Sequence, residues 1–274
     1  MNSTGGYLFD LSMFSVYAIS VSGMLILAVI GWLIGLYQNK VNAVDVIWSL
    51  FFLAAATITL TLSTESSVMN MVIFGLLALW SLRLAGFLIW RNWNKPEDRR
   101  YQVIRANNSP GFAFKSLYIV YLLQAFIAAI IFFGVFPGLS QWLDFQILDL
   151  FGISIALIGI LIESIADQQL ARFKKQQTQP SQVMDQGLWA YSRHPNYFGE
   201  FLFWWGLFLI IVESSWLWAI VSPLIMTILL LKVSGVGLME KGIEDRRPAY
   251  AAYIKNTPAF FPRLTNPLVQ KEAQ

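Results

Sequence analysis

Seven apolar runs of roughly membrane-spanning length follow one another along the chain, at 14–37, 46–63, 68–90, 115–136, 146–166, 198–213 and 216–236. A helix needs about 20 apolar residues to cross the ~30 Å hydrocarbon core. Inside that core every backbone polar group must be satisfied within the protein, which helices do segment by segment. The chain is therefore expected to be an all-α, polytopic membrane protein whose seven transmembrane helices form a single domain over 1–274. Glu213-Ser214-Ser215 alone parts the last two runs and reads as a tight polar turn. The first run is too long, and lacks the early basic flank, for a cleavable signal peptide, so a retained helix is expected.

Composition narrows the remaining classes. At 57% hydrophobic and 13% charged residues, the chain is outside the range of intrinsic disorder. The absence of cysteine removes disulfide frameworks, thiolate nucleophiles, Cys-ligated zinc and iron–sulfur clusters. The pI of about 9.1 does not indicate a nucleic-acid partner. Formal charge is only +3, and the basic residues lie between the apolar runs, where topology explains them.

Seventeen of the 19 lysines and arginines fall in alternate segments: 38–45, 91–115, 167–197 and the tail at 237–274. The N-terminus and the connections near 64–67, 137–145 and 213–215 hold none. Lys/Arg excess marks cytoplasmic loops, so the N-terminus is expected outside and the C-terminus in the cytoplasm. The long segments at 91–115 and 167–197 then face the cell interior, and chemistry is expected there. The tail sequence Ala259-Phe260-Phe261-Pro262-Arg263 reads as an interfacial anchor. Short outer connections and absent cysteines suit a bacterial inner membrane.

Two cations, Arg83 and Lys232, fall inside apolar runs, and Asp45, Glu163, Asp167 and Glu200 sit at or just inside run ends. An ionisable group at bilayer depth costs a few kcal/mol or more unless it faces a cavity or a partner. Lys232 reads as snorkelling to the inner surface. Arg83 lies about 12 Å below Arg91 at 1.5 Å rise per residue and is a candidate partner for Asp45. Glu163 and Asp167, four apart, share a helix face. They read either as a solvated helix end or as part of a polar cavity open to the cytoplasm, and the cavity accounts for all of these groups together.

Gly187-Leu-Trp189-Ala-Tyr191-Ser-Arg193-His194-Pro195-Asn196-Tyr197-Phe-Gly199-Glu200, followed by Trp204-Trp205-Gly206, holds the chain's one histidine. Pro195 ends any helix through His194 and starts the next near Asn196. The new helix presents free N–H groups to an anion, and Arg193 adds a forked cation suited to phosphate. A capped turn with a satisfied histidine is the plainer reading. A lone histidine without ligand partners is a poor metal site, so no metal is expected.

Tyr191-Ser-Arg-His-Pro-Asn-Tyr-Phe-Gly-Glu200 resembles the signature of the steroid 5-alpha-reductase family. It is similar also to the Arg-His-Pro-Asn-Tyr-Leu-Gly-Asp stretch of sterol C14 and delta-7 reductases, and matches best a bacterial branch with a steroid-reductase-like domain of unknown function. The likeness runs from about Asp45 to Pro262 and is most specific over 160–206. It implies a seven-helix membrane enzyme that uses NADPH to reduce a carbonyl-conjugated C=C bond in a lipophilic, steroid-like substrate. It further implies cofactor contacts by Asn196, Gly199 and Glu200, with Asp167 near the adenosine end and Lys174 near the 2′-phosphate. Tyr191, Arg193, His194 and Tyr197 belong to the same motif, and Glu163 stands where the family has asparagine. On the second and third helices the family's substrate-polarising Gln-Glu and Tyr are replaced by Val44-Asp45 and Leu79-Trp80, while Arg83 lies close to a family arginine. Glu240 stands near the place of a seventh-helix arginine–histidine pair.

Glu240…Arg247-Pro-Ala-Tyr250-Ala-Ala-Tyr253 opens a second reading. Membrane methyltransferases acting on isoprenylcysteine or phospholipid also carry Arg-His-Pro-x-Tyr-x-Gly, then an acid and Tyr-x-x-Tyr, and bind S-adenosylmethionine. A non-enzymatic membrane protein is the third reading. On the reductase reading, a donor must stabilise negative charge on the carbonyl oxygen as hydride arrives. Asp45, with Arg83 nearby, and Tyr101 are the candidate catalytic residues. The expected partners are a lipophilic small molecule and membrane lipids, with the chain acting as a monomer.

Overall fold

The computed structural model describes residues 11–63, 66–179, 181–212, 217–233, 235–240 and 250–263. Among them six helices are long and apolar enough to cross a membrane, making this a multi-pass membrane protein. They are α1 (Met13–Gln38), α2 (Ala43–Leu62), α3 (Val68–Asn92), α5 (Phe112–Ser140), α6 (Ile147–Gln176) and α7 (Pro195–Val212). A short helix, α4 (Arg99–Asn107), lies between α3 and α5. After α7 come α8 (Leu217–Val233), α9 (Val236–Glu240) and α10 (Tyr250–Asn256). The described residues contain helices and no paired sheet.

The seventh expected span is the main difference. The run at 216–236 folds as the shorter helix Leu217–Val233, which opens with a 3₁₀ turn and closes with a π turn. Its 17 residues reach about 26 Å, at the short end of what crosses the hydrocarbon core. The turn expected at Glu213-Ser214-Ser215 lies outside the described residues. The fourth and fifth spans run past their expected ends, to Ser140 and Gln176, because helix geometry continues where apolar composition stops.

The chain divides into two compact units. One comprises Met1–Asp149 with Ile210–Ser222, the other Leu150–Leu209 with Pro223–Gln274. In the first, Ser12 caps α1 by accepting from the Ser15 N–H. The buried stripe of α1 carries small residues at helical spacing, Ser20, Ala28, Gly31 and Gly35, beside Val16 and Met24. Ile47 fills the space beside Gly31, and the Tyr121 hydroxyl that beside Gly35. Apolar packing against lipid gains little, so short approaches and hydrogen bonds hold such helices together. The Ser20 and Thr59 hydroxyls meet at 2.9 Å between α1 and α2. Ser49 and Ser81 each donate to the other's carbonyl, at 3.0 and 2.8 Å, between α2 and α3. Asn70 closes a capping box with Ser67 and donates to the Gly138 and Gln141 carbonyls at the end of α5.

In the second unit, α6 and α7 cross on glycine. A Cβ on Gly199 would stand 2.6 Å from both the Glu163 nitrogen and the Gly159 oxygen, and one on Gly206 2.6 Å from the Ala156 nitrogen. Gly199 and Gly206 are seven residues apart, as are Gly152 and Gly159 on the facing helix, so one seam runs along both helices. This close approach places Glu163 and Asp167 beside the first turns of α7.

Candidate functional site

The motif loop is pinned from both sides before any chemistry is considered. Gly187 opens it in the left-handed region, at φ +59°, where a side chain would be strained. The Leu188 N–H donates to Gln169 Oε1 at 3.0 Å, and Trp189 Nε1 to the Ala166 carbonyl at 3.1 Å, holding the loop on α6. From the tail, the Arg193 N–H donates to the Pro258 carbonyl at 2.9 Å and the Arg263 N–H to the Tyr191 carbonyl at 3.0 Å. Ser192 Oγ donates to the Phe260 carbonyl at 2.8 Å, and the Tyr253 hydroxyl to the Trp189 carbonyl. Phe260 is buried against Phe198 and Phe201. The expected interfacial anchor is thus a strap folded onto the motif.

Arg193 is buried and fully engaged. Its Nε and Nη2 donate to the two Glu240 oxygens at 2.7 and 2.8 Å, and Nη1 donates to the Ile254 and Thr257 carbonyls. The fork expected to meet phosphate instead meets a carboxylate and the tail backbone, because Glu240 folds back to the loop. His194 Nε2 lies 3.1 Å from the same Glu240 oxygen, and the Tyr197 ring stacks on the imidazole at 5.4 Å. Burial alone would raise the Glu240 carboxyl, but hydrogen bonds from His194 and Arg193 and the Arg193 charge outweigh it. The group is held down at about 2.

A second polar set lies on α6 and α7. Asn196 Nδ2 donates to Asp167 Oδ1 at 3.3 Å. Glu163, Asp167 and Glu200 are all buried, which removes the solvated-helix-end reading. The Asn196 Oδ1 is buried with no hydrogen-bond partner among the described residues. Gly199 sits in the helix crossing, so its missing side chain serves the approach of α6 and α7. Lys174 is exposed in the last turn of α6. Tyr191 is half-buried, and Tyr250 meets the Tyr253 ring edge-on at 5.2 Å. Arg247 lies outside the described residues.

The first unit carries its own cluster. Asp45, in the first turn of α2, accepts from the Tyr101 hydroxyl at 2.5 Å and meets Arg100 Nη2 at 3.5 Å. Asp45 therefore takes Arg100 and Tyr101 where Arg83 was the expected partner. Arg83 stands on α3 with its guanidinium 5.8 Å from the Phe87 ring. Asp98 caps α4, accepting from the Arg100 N–H at 2.9 Å and from Arg100 Nε at 3.1 Å. Glu97 holds Arg105 through both oxygens, at 2.7 and 2.9 Å, and accepts the Val41 N–H at 3.0 Å. Burial would raise Glu97, yet the Arg105 and Val41 hydrogen bonds leave it below the usual carboxylate range. Burial first, then the Asp45 charge, pushes the Tyr101 phenol far above its usual range, so it stays protonated. Chemistry was expected in the 91–115 segment, but Arg100 and Glu97, with its partner Arg105, were not singled out, because Asp45 and Val41, which they meet, lie more than fifty residues away. Pro96-Glu97-Asp98 ahead of a basic helix was the available N-cap signal.

No group of three metal-ligating side chains occurs among the described residues. Residues 31–257 match the model of DUF1295, a family of unknown function whose general likeness is to steroid 5-alpha-reductases. No curated protein matches the chain as a relative.

Proposed function

The chain belongs to the DUF1295 family, and on that premise we propose that it is an NADPH-dependent membrane reductase of a carbonyl-conjugated C=C bond in a lipophilic, steroid-like substrate. The proposal includes a bacterial inner membrane, an outer N-terminus, a cytoplasmic C-terminus and Leu217–Val233 as the seventh crossing. One observation carries it: Asn196 bonded to Asp167, with Glu163 and Glu200 also buried, on two helices otherwise built for lipid. Ionisable groups in such helices are costly and mark functional sites by default.

The residues fit the cofactor in kind. The buried Asn196 oxygen is an acceptor suited to an amide N–H. Carboxylates at Asp167, Glu163 and Glu200 suit hydroxyl donors such as those of ribose, and the exposed Lys174 suits a phosphate. Arg193 is committed to Glu240, so its part is to hold the loop that begins α7. Bound there, NADPH would supply the hydride. Tyr101, kept protonated, is the proposed donor to the substrate oxygen: its single O–H, which donates to Asp45 here, would turn to the substrate, with Arg100 left to pair with Asp45.

Glu240 bound to Arg193 and His194, with Tyr250 against Tyr253, is the feature that favours the methyltransferase reading. Thermal unfolding of the detergent-purified protein separates the two. A ligand present at 100 times its Kd stabilises by about 2.7 kcal/mol. NADPH is expected to raise the midpoint and S-adenosylmethionine to leave it unchanged. A rise with S-adenosylmethionine alone replaces the reductase reading, and no rise with either ligand defeats both.

A further inference from the structure

The structure assigns a second ligand to the motif loop: one anionic phospholipid, seated where the strap crosses the start of α7. A groove of about 230 Å³ opens there. Ile162 of α6, Pro195 and Phe198 of α7, and Tyr191, Pro262 and Arg263 of the loop and strap line it. The walls offer an acyl chain continuous apolar contact. The Arg263 backbone is registered on Tyr191 by the 3.0 Å bond from its N–H to the Tyr191 carbonyl. The Arg263 side chain is exposed and makes no hydrogen bond or ion pair among the described residues.

The loop's two arginines thus divide their work. Arg193 is buried on Glu240, whereas Arg263 presents an open fork beside an apolar groove at the end of two membrane helices. A planar guanidinium matches phosphate oxygens in pairs. Cations at this level attract anionic headgroups, and the Tyr191 ring is a side chain suited to the membrane–water boundary. Apolar lining, an aromatic ring and an exposed cation together offer partners to a phospholipid's chain, glycerol and phosphate. The assignment does not depend on which cofactor the Asn196–Asp167 set takes.

Native mass spectrometry of the full chain, released from detergent containing equal phosphatidylglycerol and phosphatidylcholine, tests the assignment. The protein is expected to retain one phosphatidylglycerol in preference to phosphatidylcholine by about tenfold, the worth of one charge-assisted contact. Arg263→Gln is expected to abolish that preference and Arg263→Lys to restore part of it. Ile162→Phe, which fills the wall and leaves the cation, is expected to lower retention of both lipids. Unfolding midpoints of each variant report whether the fold survives. Equal retention of the two lipids by the wild-type chain overturns the assignment. So does an unchanged preference in a folded Arg263→Gln variant, or diacylglycerol binding as well as phosphatidylglycerol, which would mark a site for neutral lipophiles.

Discussion

Replacing Glu240 with glutamine keeps the shape of the side chain and removes its charge. The carboxyl accepts two bonds from Arg193 and lies 3.1 Å from His194 Nε2, and its pKa falls from an ordinary 4.5 to about 2. At 1.36 kcal/mol per unit the whole shift would be worth about 3 kcal/mol, and solvent screening of the partly exposed pair leaves about 1–2 kcal/mol in favour of the folded, ionised form at neutral pH. The sign follows from the direction. A carboxyl lowered in the folded state contributes fully above pH 4.5, and loses its contribution as pH falls toward 2. At pH 7 the variant is expected to unfold roughly 3–6 °C below the wild type, taking 2–4 °C per kcal/mol for a chain of this order. By pH 3 about three-fifths of that gap should have closed, because the wild-type carboxylate is by then losing its advantage. Tryptophan fluorescence during thermal unfolding in detergent measures the gap, and the difference between the two proteins cancels the other acids. A gap that stays constant down to pH 3, or none at pH 7, would show that Glu240 does not hold the strap through its charge.

Gly199→Ala should lower stability by about 1–3 kcal/mol, since its Cβ meets backbone that cannot swing aside. Gly75→Ala on α3, where nothing lies within 4 Å, should instead be neutral or raise stability by up to about 1 kcal/mol; the pair of midpoints checks both. Tyr101→Phe should lower turnover about 100-fold or more while leaving stabilisation by NADPH intact, since it removes the proton donor and its bond to Asp45 but no group of the Asn196–Asp167 set; full turnover in a steady-state NADPH oxidation assay would remove Tyr101 from the reaction. Asn196→Leu should weaken NADPH about tenfold or more in a titration, because it deletes the buried acceptor together with the Asp167 contact.

Legibility in the sequence followed the range of the interaction. The six long helices show plainly in the apolar runs, because a lipid-spanning segment must satisfy its backbone locally. Pro195 at the first position of α7 was equally readable, since a missing N–H and a fixed φ act within one turn. The acids at 163, 167 and 200 stood out because their cost is set by depth alone.

Which partner each charge takes was not readable. Tyr101 reaches Asp45 across 56 residues, and Arg193 reaches Glu240 across 47. Each of these pairings arises where segments distant along the chain fold together, so no local pattern distinguishes the chosen partner from its neighbours. Arg83 was the candidate read beside Asp45, and the placement of α4 brought Arg100 there instead. Gly199 likewise belonged to the motif by spelling alone, until the crossing with α6 gave its missing side chain a steric reason. Lipid imposes its demands on each segment separately and so writes them into every run of residues. Pairing of charges is a property of the folded assembly.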